Sequence, residues 1–237
     1  MKKIAELIRR KLRRKQKIYV PSPSLEMKKI MSEIKNLSLR KNQGEDITKR
    51  ILFLRFLADM IKVDIMSDTS LSGLLGDARS KKDSLYIPLE CRDQDGNKVD
   101  VFTNQKRELD FEKDYVITNV WNKDRMAAAL KNVQKNGFVY EEKNHYAHYY
   151  DGMDLFYVYN GNHHTQAASY FKTGKMTAEI CNMRVLFEHM ETDGEYWIST
   201  HTGEKIDTVE DFRVAILYEL CRFLNQNEEK CVTNDTE

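Results

Sequence analysis

Proline and glycine are scarce, at 3 and 10 of 237 residues, which excludes collagen-like and low-complexity classes. Charged residues make up 32 % and hydrophobic residues 41 %, so the chain can bury a core and is not a largely disordered one. No stretch approaches the roughly 18 uninterrupted apolar residues of a membrane span, and the basic N-terminus is not followed by the apolar run of a signal peptide. A soluble, cytoplasmic protein is expected. The four cysteines, Cys91, Cys181, Cys221 and Cys231, form no C-x-x-C pair, which favours reduced, mostly buried thiols over a disulfide framework or a zinc site. The length suits one medium domain, or one domain with a helical appendage.

What the chain does have is an uneven charge. Lys2, Lys3, Arg9, Arg10, Lys11, Arg13, Arg14, Lys15 and Lys17 face a single acid, Glu6, so this segment is +8 within a chain of net charge +1. Ile4, Leu7, Ile8 and Leu12 recur there at helical spacing, and an amphipathic helix with a basic face suits a phosphate backbone, an anionic membrane or an acidic surface. Nucleic-acid binding through residues 2–17, with Arg9, Arg10, Arg13 and Arg14 on backbone phosphates, is one expectation; a basic helix packed on the chain's own acidic body or simply solvated is the other.

Pro21-Ser22-Pro23-Ser24 ends that helix and offers Ser24 as an N-cap for a second, with Leu25, Ile30, Ile34 and Leu37 on one stripe. A third helix starts near Asp46, and its apolar residues from Ile47 to Ile61 surround most of the circumference, so it should be buried. Thr69 to Ser84 reads as a connection. Strands are expected at 85–89 and 98–102 around an Asp93–Asn97 turn, whose resemblance to a calcium loop fails for want of flanking helices and a properly placed acid. From Tyr115 the predicted order is β-α-β-α-β: strand 115–120, a helix capped by Asn122 and stopped near Gly137, strand 155–159, a helix ending at Gly174, and strand 177–186. A hairpin at Thr192-Asp193-Gly194 and a last helix opened by Thr208-x-x-Asp211 follow, with residues after Asn227 frayed. The predicted class is α+β: a helical N-terminal region (1–75), a mixed α/β domain with a C-terminal helix (76–227) and a tail (228–237).

The most informative stretch is Asn160-Gly161-Asn162-His163-His164-Thr165-Gln166-Ala167-Ala168. Gly161 allows a sharp turn at a strand end, and the helix that follows presents free N–H groups and a positive dipole end to an anion. Asn162, His163 and His164 fall in its first turn, and a protonated histidine adds donors to a phosphate. The plainer alternative is that Gly161 only makes the turn while one histidine caps or packs.

With Gly161 followed by Ala167-Ala168 at a helix start, the segment resembles the second sequence box of the ParB/sulfiredoxin superfamily, Gly-Glu-Arg-Arg-x-x-Ala-Ala in ParB proteins. Residues 115–186 carry the resemblance, including Trp121-Asn122-Lys123-Asp124-Arg125 where the first box lies, and the combination is similar to uncharacterised bacterial and phage proteins. The resemblance implies a fold of that superfamily and a turn that binds nucleotide phosphates, here through Gly161, Asn162, His163, His164 and Arg125, with a nucleoside triphosphate and Mg as the implied ligand and an NTPase or phosphotransferase as the implied activity. The sequence departs from it in four ways: the first-box segment lacks the prolines, histidines replace the phosphate-holding arginines, the sulfiredoxin cysteine is absent, and no helix-turn-helix of the ParB type follows.

Asn144-His145-Tyr146-Ala147-His148-Tyr149-Tyr150-Asp151 lies between the boxes. Histidines three apart suit a helix face, and His145, His148 and His163 with Asp151 or Asp154 would make a metal site for phosphodiester hydrolysis if the fold joined them; a Tyr/His-rich surface loop is the alternative. His189 and His201 lack partners in sequence, and Asp151, Asp154 and Glu142 are candidate catalytic acids by proximity in sequence alone. Three functions therefore remain open: a phosphate- or nucleotide-binding domain, a non-enzymatic nucleic-acid accessory protein, and a His-based nuclease.

Overall fold

The computed structural model describes residues 22–39, 47–74 and 85–234. The fold is α+β. Helices α1 (Pro23–Leu39) and α2 (Ile47–Leu74) come first, then the short hairpin of β1 (Cys91–Arg92) and β2 (Lys98–Val99). They are followed by β3 (Phe102–Asp110), β4 (Val116–Thr118), α3 (Lys123–Asn136), β5 (Tyr146–Asp151), β6 (Leu155–Asn160), α4 (Asn162–Phe171) and β7 (Lys175–Asn182). Helix α5 (Met183–His189), strands β8 (Met190–Thr192), β9 (Tyr196–Ser199) and β10 (Lys205–Thr208), and α6 (Phe212–Asn234) complete the described chain.

A five-stranded sheet ordered β3-β7-β5-β6-β4 forms the centre. Strands β6 and β4 pair in parallel, as do β5 and β7, while β3–β7 and β5–β6 are antiparallel. One face carries Ile117, Tyr150, Leu155, Tyr157 and Cys181 into a core shared with Ile34 of α1, Leu54, Ala58 and Ile65 of α2 and Leu217, Tyr218 and Leu220 of α6. The other carries Val116, Ala147, Phe156 and Val158 toward Ala168 of α4, and α3 packs beside α4 through Met126, Ala129, Val133 and Ala167. Helical N-terminal part and sheet thus share one hydrophobic core, the main source of stability in a fold of this kind.

Several expectations are corrected. Pro23 sits at the first helical position of α1, and the Leu25 and Glu26 N–H groups donate to Ser22 O at 3.1 and 3.0 Å, so Ser22 holds the cap position and proline occupies the place where its missing N–H costs nothing. Helix α2 runs through Leu74 where a connection was predicted. It is also not buried all round, since Leu52, Phe53, Phe56, Met60 and Val63 are exposed. Residues 85–89 are not a strand. Three strands were unread: β5 is buried on both faces and therefore lacks alternation, β3 is a polar edge strand rich in charge, and β10 is an exposed edge strand ending at Thr208, where a helix start was expected. The strand expected at 177–186 stops at Asn182, whose side chain accepts from Arg184 N and starts α5. At α6 the cap is Asp211, not Thr208: its Oδ1 accepts from Arg213 N at 3.0 Å, and the helix continues to Asn234 beyond the expected fraying point. His189 and His201, expected without partners, meet with Nδ1 and Nε2 2.7 Å apart.

Arg213 ties α6 to α2. Its guanidinium donates to Asp211 at 2.6 Å, Asp68 at 2.7 Å and Asp64 at 2.9 Å. Burial opposes its charge, but the bonds and attraction of Asp211, then Asp64 and Asp68, hold its pKa above the usual arginine value. The Asp68 and Asp211 side chains are themselves largely shielded, at 18 % and 6 % exposure. Arg213→Ala would leave carboxylates without their cation, so urea unfolding should show a loss of about 3 kcal/mol, the scale for breaking a shielded pair by removing one partner; Arg213→Lys should recover part of it.

Candidate functional site

The parallel pairing of β4 and β6 aligns Thr118 with Val158, so both strands end at the same edge of the sheet and each leads into a helix. Two helix starts therefore lie side by side. At the first, Asn122 is extended and its Oδ1 accepts from the N–H groups of Asp124 and Arg125 at 3.0 and 2.9 Å, satisfying donors that helix geometry leaves open. At the second, Gly161 takes the left-handed conformation (φ 80°, ψ 15°) and supplies no side chain, so the first turn of α4 has no side-chain cap. The amides and positive dipole end of such a helix start favour an acceptor.

Side chains cross-link the two starts. The Thr118 hydroxyl donates to Gln166 Oε1, the Asn119 N–H donates to Oδ1 of buried Asn162 at 2.8 Å, and the Asn122 N–H donates to His163 Nε2 at 3.3 Å. Asn162 is thus a structural brace and does not face a ligand. The His163 ring stands edge-on to Trp121, with centroids 5.2 Å apart, and the Arg125 guanidinium lies 4.7 Å from the centroid of the same indole. Trp121 is 44 % exposed. Burial, then the Arg125 charge, lowers the His163 pKa, and the bond from Asn122 N–H requires a lone pair that only the neutral ring keeps at Nε2. His163 therefore offers a neutral Nδ1–H donor at pH 7. His164 Nε2 lies 3.4 Å from Asn132 Nδ2.

His145 sits beneath the turn, 3 % exposed. Its Nδ1 accepts from Glu141 N at 2.9 Å, which places the proton on Nε2, and Nε2 has no hydrogen-bond partner among the described residues. Burial lowers its pKa. The His145 and His164 rings are 6.2 Å apart. His148 is elsewhere: in strand β5 residues three apart point to opposite faces, and its ring packs against Phe102, Tyr150 and Tyr159 at 4.9, 6.4 and 4.6 Å, on the α2 side of the sheet. The proposed set of His145, His148 and His163 is therefore not assembled, and among the described residues no group of three or more His, Cys, Asp or Glu could hold a metal ion. The three acids suggested by sequence proximity are each held by a cation. Glu142 pairs with Lys106, Asp151 with Arg184 and Asp154 with Arg107. Asp151 and Asp154 line a cavity of about 320 Å³ at the β5–β6 hairpin, with Arg55, Lys62 and Arg184 around it. That cavity is not legible in the sequence, because its lining is drawn from four separate stretches between Arg55 and Asn225. Arg9, Arg10, Arg13, Arg14 and the rest of residues 2–17 lie outside the described residues.

A model described as a family of unknown function, DUF6710, matches residues 7–231. The chain belongs to that family. No curated protein and no solved structure matches it. The match spans α1 to α6, so the paired helix starts of this DUF6710 chain lie well inside the matched region.

Two outcomes follow from the geometry under the turn. A Cβ at Gly161 would lie 2.3 Å from His145 Cδ2 and 3.1 Å from Asn144 O, on a backbone with φ +80°. Gly161→Ala should therefore lower stability by about 2 kcal/mol or more in denaturant titration, since strain and overpacking add. For His145 the folded pKa lies below the unfolded value near 6.5, so the unfolded chain binds more protons and stability is lost as the pH falls below about 6.5. Denaturant titrations between about pH 7.5 and pH 5 should show this loss, and His145→Gln should flatten the slope even if it lowers stability throughout.

Proposed function

We propose that the chain binds a phosphate-bearing ligand, of the nucleotide class, at the paired starts of α3 and α4. The uncapped first turn of α4, set beside the exposed Arg125 and Trp121, is the observation that carries the reading. An anion there would meet the amides of α4, the Nδ1–H of His163 and the Arg125 guanidinium, three donor types that suit phosphate. Trp121 supplies an aromatic surface for a base. The proposal accords with what the ParB/sulfiredoxin resemblance implies for Gly161, with His163 and His164 in place of arginine. It is a proposal of binding: of the carboxylates named from the sequence, Asp151 and Asp154 stand at the β5–β6 hairpin and Glu142 is paired with Lys106.

The experiment is calorimetric titration with inorganic phosphate, then with ATP, GTP and CTP with and without Mg²⁺, at about pH 6.5 in two buffers of different ionisation enthalpy. Binding should require the phosphate group, and a bound anion should raise the His163 pKa above its lowered free value. Protons are then taken up between the two values, and affinity grows as the pH falls through them. Arg125→Ala should weaken binding about tenfold, the loss of one charge-assisted bond of about 1.4 kcal/mol. Absence of binding at millimolar phosphate compound, or an Arg125→Ala variant that binds equally well, overturns the proposal.

A further inference from the structure

Helix α2 is apolar on two opposite faces. Leu54, Ala58 and Ile65 are buried in the core, and the far side carries Phe53, Phe56, Met60, Val63, Leu71 and Leu74, each between 38 % and 54 % exposed. Their spacing, with Ser67 completing the series, is 3-4-3-4-4-3, the interval at which one helix keeps a continuous seam against another. At about 100° per residue the seam lies opposite the core-facing stripe, so this is not the margin of the same hydrophobic face. The patch is on the order of several hundred Å², the size at which exposed apolar surface marks an interaction site.

Charge along the helix identifies the occupant. Lys49, Arg50 and Arg55 stand in its first third, and Asp59, Asp64 and Asp68 follow. The acidic part remains net negative after Lys62, which pairs with Asp59, and the Arg213–Asp211 pair that joins Asp64 and Asp68. A parallel partner of the same sequence would set like charges together. An antiparallel copy with a twofold axis near residue 57 sets the basic first third of each helix along the acidic part of the other, beside a seam centred on Phe56 and Met60. Antiparallel alignment also opposes the two helix dipoles.

We propose that the chain forms a homodimer through an antiparallel pairing of the exposed α2 seam with the same seam of a second copy. The contact is isologous, closes on itself and leaves the paired starts of α3 and α4 outside the seam. Residues 2–17, with their own apolar positions, are the rival occupant, and the experiment separates the two.

Sedimentation equilibrium of the full chain over micromolar concentrations should give a dimer mass. Phe56→Glu/Met60→Glu should give a monomer with an unchanged circular dichroism spectrum, because both residues lie off the core. Spin labels on Ser67→Cys, an exposed seam position, should report a separation of about 30 Å, twice the ten-residue offset from the axis at 1.5 Å per residue; parallel helices would give about 10 Å. A monomer throughout the range overturns the proposal. So does a dimer that survives the double substitution, a 10 Å label distance, or dimerisation that appears only after residues 1–20 are removed, which would show that the N-terminal segment occupies the seam.

Discussion

Three hydrogen bonds between the β4–α3 and β6–α4 turns hold the candidate site in shape: Thr118 to Gln166, Asn119 N–H to Asn162 and Asn122 N–H to His163. Each joins a residue at or after the end of one parallel strand to the helix that follows the other. Without them the helix starts would be set only by packing of α3 on α4, which tolerates sliding. With them, the backbone N–H groups of Asn119 and Asn122 are satisfied, and the amides of α4 are presented at a fixed place beside Arg125. The brace also fixes chemistry. An N–H bond into His163 Nε2 sets the tautomer and so puts the ring proton on Nδ1.

A second layer supports the brace from below. His145 fills the space that a Cβ at residue 161 would need, and its Nδ1 accepts from the Glu141 N–H. Turn, buried histidine and loop before β5 thus form a single packed unit, in which the left-handed backbone at Gly161 is required by contact as well as by conformation. Arg213 performs a comparable task with charge, gathering Asp64 and Asp68 of α2 and Asp211 at the start of α6. The two devices sit on opposite faces of one sheet, and the shared core between them couples helix α2 to the rest of the fold.

Some elements were legible because their signals are local. Asn122 as a cap, Gly137 as a stop and Gly161 at a strand end are short-range features, and the structure has all three. Other elements were not. Strand β5 has no alternation because both faces are covered, and β3 looks like a loop because an edge strand can carry charge on both sides. The histidine set failed for the same reason as β5: a spacing of three means one face in a helix and opposite faces in a strand. Trp121 stood in the sequence as part of a motif, but its place between Arg125 and His163 depends on where β4 ends relative to β6.

The sequence by itself determined the class of fold, both ends of α3 and the Gly161 turn into α4, since composition, periodicity and capping act over a few residues. Tertiary structure decided which strands are neighbours, which histidines meet and which face of α2 is left uncovered. These depend on strand order and on contacts between residues tens to more than a hundred positions apart. Hydrophobic pattern specifies that a surface is apolar; only packing specifies which apolar surface is covered, and by what.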